Sequence, residues 1–509
     1  IESRTSRHCT DGFVVLENDV ECGFSNSYYL AHGDFSVLIL VANIREISGK
    51  CKFLSNFACM KIYNTATLSN GLRIIHQSSD SNVVYCGYEL NVGTRNEKPG
   101  QEGMAHFCEH VTFKGTKRRR SWHVSNALES VGGDLNAFTN KEDTVYYAAV
   151  LKEHTARAVD LLTDIVFHSV YPQHEIDKEV EVIIDEIDSY RDSPSELIFD
   201  EFEHLLFADA PLGRDILGTP ERLRQYTTAD AHRFADRYYR PDNAIFFVYG
   251  QTDFARVLRL LSKAHQAEVT TAPPSTPEVR PGEAAASTAF KGYATPTTRI
   301  VQKDTHQAHV MMGAPTFGSN DPRRFALILL NNLLGGPGMN SRLNMVVRER
   351  HGLVYSIDAY LNSYPDAGYW NVYFGCDADD VKRCLRLVKR ELQKLAEKPL
   401  TPAQLKAAKD QLCGQIGISC DNREGYALAM AKTFAHFGRH RNVADVVAAI
   451  RATRRTSSSS PWRIDATSSS KTARSRTSSR RRPEASAQRP ATMRAAASWM
   501  STTRASVLR

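Results

Sequence analysis

Apolar and polar positions along this chain change period several times, and each change predicts an element. Lys61 to Leu68 reads as extended, Ser69-Asn70-Gly71 as a hairpin turn, and Leu72 to His76 as the returning strand. Val83 to Val92 is a third strand by its apolar and aromatic content, and the polar run Gly93 to Gly100 reads as a loop. Apolar residues at helical spacing then predict helices over about 121–131, 154–168, 173–191, 194–207 and 228–238. Asn243 to Gly250 returns as a strand, followed by a helix over about 253–266. Strands and helices do not alternate regularly, so the first half reads as a mixed sheet-plus-helix domain.

Val269 to Ala294 is rich in Pro, Ala, Thr and Glu and reads as a linker. Beyond it the same order recurs more weakly. His309 to Thr316 is a strand, about 322–335 and 340–350 are helices, Val354 to Leu361 and Tyr369 to Gly375 are strands, and about 378–396 is a helix. Leu400-Thr401-Pro402-Ala403 starts a further helix. The expected division is an N-terminal domain over 60–267, a linker over 268–295 and a C-terminal domain over 296–450.

Inside the first half lies His106-Phe107-Cys108-Glu109-His110. Positions four apart on a helix share a face, so His106 and His110 can grip one ion with Glu109 beside them. Two neutral imidazoles suit zinc, and a neighbouring carboxylate is placed to accept a proton from an activated water. The order inverts the commoner H-E-x-x-H helix, and H-x-x-E-H is itself a metallopeptidase signature. Met104, Ala105, Phe107 and Val111 are apolar, so this helix is partly buried and its ionisable groups need partners. Cys108 lies about 200° around the helix from His106 and reads as a small buried residue rather than a ligand.

A catalytic site with two His needs a third protein ligand. In the helix predicted over 173–191, Ile176, Val180, Ile183, Ile184 and Ile187 form an apolar stripe, with Glu179 and Glu186 beside it. Those two carboxylates are seven residues apart, within about 20° of each other around the helix, and periodicity alone does not choose between them. Asp177, Glu181, Asp185 and Asp188 read as solvated charges. In the second half, Asn331-Asn332-Leu333-Leu334-Gly335-Gly336-Pro337-Gly338-Met339 lacks the Gly-Lys-Ser/Thr ending of a phosphate loop and reads as a turn between helices.

Together these motifs resemble the pitrilysin/insulinase family of zinc peptidases, which includes mitochondrial processing peptidase subunits and shorter bacterial relatives. The likeness extends through Val131-Gly132-Gly133-Asp134-Leu135-Asn136-Ala137-Phe138-Thr139-Asn140-Lys141-Glu142-Asp143-Thr144-Val145-Tyr146-Tyr147, and through Ala210-Pro211-Leu212-Gly213-Arg214 and Leu217-Gly218-Thr219. It implies an α+β fold of two homologous mixed sheet-plus-helix domains of the LuxS/processing-peptidase type. It implies one zinc ion per chain on His106, His110 and Glu186, the last being 76 residues beyond His110. Glu109 would be the base and Glu179 a supporting carboxylate. Main chain around Asn136 and Ala137 would pair with an extended peptide substrate. Arg348 and Tyr355 would reach it from the second domain, where a guanidinium and a phenol suit a carbonyl oxygen gaining charge. A two-domain chain of this kind implies a homodimer or a heterodimer with a paralogous subunit. The implied activity is metalloendopeptidase, with a non-catalytic subunit as the rival.

Charge changes the picture only at one end. The chain carries +7 overall, and Arg451 to Arg509 alone holds 14 basic and 2 acidic residues, a surplus of 12 that leaves about −5 elsewhere. That tail is low in complexity and has no nucleic-acid-binding motif, so no nucleic-acid partner is expected. Residues 1–59 carry four of the ten cysteines and no family motif. Both ends read as non-native or disordered extensions, with the family pattern stopping near Val446, which would leave the last strand and helix of the second domain missing or scrambled. Ser36 to Ile44 is too short to span a bilayer, so no membrane attachment is expected. Scattered cysteines without C-x-x-C pairs point to a reducing compartment. The cytoplasm is the first expectation and the mitochondrial matrix the alternative, since no Arg-rich amphipathic leader is evident.

Overall fold

A computed structural model of the chain describes residues 63–270, 292–294, 297–303, 305–455, 464–465 and 504–508. The readings of 1–59, of most of the linker and of most of the basic tail lie outside the described residues. The first half builds a six-stranded sheet from β1 (Asn64–Thr67), β2 (Arg73–Ser78), β3 (Val83–Leu90), β4 (Asp134–Thr139), β5 (Thr144–Leu151) and β6 (Ala244–Gly250). Its order is β1-β2-β6-β3-β5-β4, parallel between β2 and β6 and antiparallel elsewhere. Helices α1 (Met104–Thr112), α2 (Ser121–Glu129), α3 (Thr155–His168), α4 (Gln173–Arg191), α5 (Pro194–Phe207), α6 (Thr228–Tyr238) and α7 (Phe254–His265) complete this half.

The second half repeats the plan. Its sheet runs β7 (Thr298–Val301), β11 (Arg504–Leu508), β8 (Ala308–Thr316), β10 (Gly368–Cys376), β9 (Val354–Ser363). Like β6, β11 is parallel to one neighbour and antiparallel to the other. The end of the tail thus lies between β7 and β8 as a strand of this sheet. Helices α8 (Arg324–Gly335), α9 (Val381–Glu397), α10 (Pro402–Ser419), α11 (Arg423–Phe437) and α12 (Val443–Ala452) accompany it. The helix expected over 340–350 is mostly a π-helical segment, Asn344–Glu349, where the Arg350 N–H reaches back five residues to the Met345 carbonyl. Helices α11 and α12 were not legible as separate elements. In α11 Tyr426, Ala427, Leu428, Met430, Ala431 and Phe434 are all buried, so no single polar face marks its period.

Strand alternation decides the packing. On one face of the first sheet Ile74, Val84, Cys86, Tyr88, Tyr146, Ala148, Phe246 and Val248 meet the helices of their own half. On the other face Ile75, Val145, Tyr147, Ile245 and Phe247 meet Leu412, Ala427, Met430 and Phe434 from the second half. The exchange is mutual. Ile198, Phe202, Leu206 and Phe207 of α5 cover Met311 and Tyr369 on the second sheet. Each half therefore buries one sheet face under a helix of the other.

Charges are enclosed in this seam. Asp143 pairs with His436 at 2.7 Å and with Lys432 at 3.2 Å, and Glu89 and Arg73 lie close by. Glu89, Asp143 and His436 approach closely enough for a cation, but the Lys432 ammonium already balances Asp143. Burial alone would lower the His436 pKa, but the Asp143 charge and hydrogen bond raise it to about 9, with Glu142 adding and Lys432 opposing. Burial, aided by Asp143, also pushes Glu89 well above the usual carboxylate range. Both groups hold a proton more tightly folded than unfolded, so stability falls as pH rises through their shifted range. For His436 the contribution is intact below pH 6.5 and is lost as pH approaches about 9. Denaturant titrations from pH 6 to 10 should show stability falling as both groups lose their protons, and His436→Gln should remove the His436 share, up to about 3 kcal/mol. An unchanged pH slope in that variant would contradict the assignment.

Candidate metal centre

Helix α1 packs against β4, α4 and α6. Met104, Ala105, Phe107, Cys108 and Val111 are at most 1% exposed, so its apolar face is fixed in the core and Cys108 is one of its packing residues. Its N-terminus is held from outside the helix. The preceding residue, Gly103, has φ +83° and supplies no capping side chain. Glu97 instead accepts the N–H of Gly103 at 3.1 Å and of Ala105 at 2.9 Å. Burial pushes the Glu97 carboxyl well above the usual carboxylate range, opposed by these two donors and by Arg214. The Leu217-Gly218 stretch lies against Gly103: a Cβ on either glycine would come within 3 Å of the other's main chain, and Gly218 also has φ +75°. The stretch Gly93 to Gly100, expected as a polar loop, in fact has Thr94, Arg95 and Glu97 buried, because these side chains serve α1 and the seam.

Opposite the core, His106 Nε2 lies 3.7 Å and His110 Nε2 3.6 Å from Glu186 Oε2. Tetrahedral ligands about 2.0–2.2 Å from one ion are separated by about 3.4 Å. Two imidazole nitrogens and one carboxylate oxygen at these separations therefore fit a zinc-like ion with a fourth position left open. Glu179 turns to the other side of His110, accepting its Nδ1–H at 3.0 Å and pairing with Lys114 at 2.5 Å. That bond fixes the tautomer that leaves Nε2 free toward Glu186. Burial, then the neighbouring His110, lowers His106 to about 3, so it is a neutral donor. Burial would also lower His110, but its bonds to Glu179 and Glu186 raise it to about 9 in the absence of metal.

Glu109 sits beside the trio. Burial raises its carboxyl to about 7, opposed by His110 and by Thr139, whose hydroxyl donates to Oε2 at 2.6 Å. Thr139 ends β4, the edge strand of the sheet. Asn136 on that strand is exposed and Ala137 half-buried. The Ala137 N–H donates to the side-chain oxygen of Asn136 at 2.9 Å. Arg348 and Tyr355 are not drawn into this cluster by any contact among the described residues. The Arg348 guanidinium lies over the Tyr355 ring at 5.8 Å and near Glu349 at 3.8 Å, and Tyr355 is 82% exposed. Thr139, Lys114 and Glu97 were missed in the sequence. Their partners are set by folding, and only the Thr139 position near the edge strand offered a hint.

The family profile described as insulinase (peptidase family M16) matches residues 73–220, and that described as the peptidase M16 inactive domain matches 225–412. A zinc protease of Streptomyces coelicolor is 33% identical over 385 residues, covering 75% of this chain and 83% of that protein. The zinc protease YmxG of Bacillus subtilis is 31% identical over 384 residues, covering 75% and 90%. The chain belongs to the insulinase family, peptidase family M16. Insulinase-family architecture is seen again in solved structures. A protease from Helicobacter pylori aligns at a TM-score of 0.67 and 19% identity over 88% of this chain and 99% of that one. A peptidase M16 inactive domain from Pseudomonas fluorescens aligns at 0.61 and 16% over 77% and 95%. All three donors of the trio lie within the residues matched by the first profile.

If Glu179 orients His110, Glu179→Ala should weaken divalent-metal binding by about 10- to 100-fold without abolishing it. Titration against a competing chelator measures this, and unchanged affinity would remove Glu179 from the site.

Proposed function

We propose that this chain is a zinc-dependent endopeptidase acting on extended peptide segments, with one zinc ion held by His106, His110 and Glu186. The observation that carries the reading is the convergence of these three donors, with a buried carboxylate, Glu109, next to them and an open strand edge alongside. When bound, zinc supplies Lewis-acid polarisation of a carbonyl and makes water a nucleophile near neutral pH. Glu109 accepts the proton released by the attacking water and passes it to the departing amide nitrogen. Thr139 holds Oε2 of Glu109, leaving the other oxygen for that transfer. The substrate adds as a strand to β4, the Ala137 N–H exchanging the Asn136 side chain for a substrate carbonyl. Such pairing reads unfolded main chain more than sequence.

A cavity of about 260 Å³ opens at the seam, lined by Phe138, Asp143, Tyr426 and Lys432 among others, but none of the trio lines it. A strand-adding substrate needs an edge rather than a cavity, so the edge is the better guide here. Arg348 and Tyr355 act as donors from the second half once substrate is in place. A second copy or a paralogous subunit completes the enclosure. The described cysteines, Cys86, Cys108, Cys376, Cys384, Cys413 and Cys420, are free thiols, which suits a reducing compartment such as the cytoplasm or the mitochondrial matrix. No helix among the described residues is long and apolar enough to cross a membrane.

The test is a quenched-peptide assay with parallel metal analysis. Glu109→Gln should keep its zinc and lose at least about 100-fold in kcat/KM. Glu186→Ala should lose both, and chelator should silence the parent protein reversibly. Cleavage retained in Glu109→Gln, or insensitive to chelator, would sink the reading.

A further inference from the structure

The loop that leads into α1 also carries an ion pair to the second half. Arg95 is 7% exposed and forks between two carboxylates: Glu142 of the first half at 2.5 Å and Asp366 of the second at 2.5 Å. Its main-chain N–H donates to the Lys141 carbonyl at 2.8 Å. Two residues on, the Glu97 N–H closes a turn onto the Thr94 carbonyl, and the Glu97 carbonyl accepts from Arg214 at 2.6 Å. The Glu97 carboxyl group holds the N–H groups of Gly103 and Ala105, where α1 begins. Asp366 sits in the turn Tyr364–Ala367 that links β9 to β10, so it belongs to the frame of the second sheet.

We propose that Asp366 is a positioning residue for the metal site: through Arg95 and then Glu97 it fixes the first turn of α1, and so sets His106 and His110 for the ion. The physical basis is local. A helix begins with N–H groups that lack intrahelical acceptors, and a side chain that accepts from them fixes the first turn. In α1 that acceptor, Glu97, lies seven residues before the first helical residue, on a loop whose position is not fixed by the helix itself. A short, rigid turn carrying a buried Arg with two anionic partners supplies the missing constraint, and one of those partners is in the other half. His106 lies only three residues beyond Gly103, within the first turn that Glu97 holds. Misplacement at this turn would be passed to the first imidazole before the second. The second half would thereby influence the metal site without contributing a ligand to it.

This inference rests on the metal reading above, but its first readout does not need metal. Amide hydrogen exchange at Gly103 and Ala105 should be compared in the metal-free full chain for the parent protein, Asp366→Asn and Arg95→Lys. Both variants should exchange about 3- to 10-fold faster at those two amides, with amides of the core strands β3 and β5 unchanged. In the second readout, chelator competition with zinc alone, Asp366→Asn should bind zinc about 3- to 10-fold more weakly. Unchanged exchange at Gly103 and Ala105 in both variants would overturn the relay. So would loss of cleavage in Asp366→Asn with zinc affinity intact, since Asp366 would then act on substrate or on the docking of the halves. If the parent protein takes up no zinc, the metal reading fails for every variant alike, while the exchange comparison still decides the relay.

Discussion

Each sheet of this protein is sealed only because the other half of the chain lends it a helix. Ile75, Val145, Tyr147, Ile245 and Phe247 would face water without α11, and Met311 and Tyr369 would do so without α5. Burying such side chains is worth about 1.5–3 kcal/mol apiece, so each half draws part of its stabilisation from the other. The constraint reaches the chemistry. The strand that offers its edge beside the metal trio, β4, pairs with β5, and β5 carries Val145 and Tyr147 into the seam. The relative placement of the two halves is thus held by packing rather than by the linker between them.

The seam tolerates charge because the charges come in opposed sets. Asp143 faces Lys432 and His436, and Arg95 faces Glu142 and Asp366. Buried pairs of this kind contribute little net stability, but breaking one strands its partner, so they define which arrangement of the halves is allowed. The metal trio follows the same economy at smaller scale. The apolar side of α1 anchors the helix, and on its other side Glu186 faces both imidazoles, Glu179 bonds His110 and Thr139 bonds Glu109.

Much of this was legible from residues. The helix and strand order of the first half follows the apolar period closely, with α4, α5 and α6 falling where the spacing put them. The H-x-x-E-H segment identified the chemistry because helix geometry fixes which of its side chains share a face. Glu179 and Glu186 show where that reasoning ends. Seven residues apart, they are equivalent by period, and only distance separates the one shared by two imidazoles from the one bonded behind His110. Helix α11 escaped notice because burial on several sides erases the polar stripe that marks a helix. Glu97 and Arg95 escaped for the opposite reason: a charged run reads as solvated loop until the fold shows what encloses it. Arg348 and Tyr355 were placed by family likeness, and in the structure they face each other rather than the trio.

The central claim is that two imidazoles of one helix and one carboxylate of another share a single ion. X-ray absorption at the zinc edge, on protein dialysed after loading, addresses it most directly. The account predicts one zinc per chain in a four-coordinate shell of nitrogen and oxygen only, with two imidazole scattering patterns. Sulfur in the first shell would implicate Cys108 instead, and an absent zinc edge after dialysis would mean that the three side chains do not hold an ion at all.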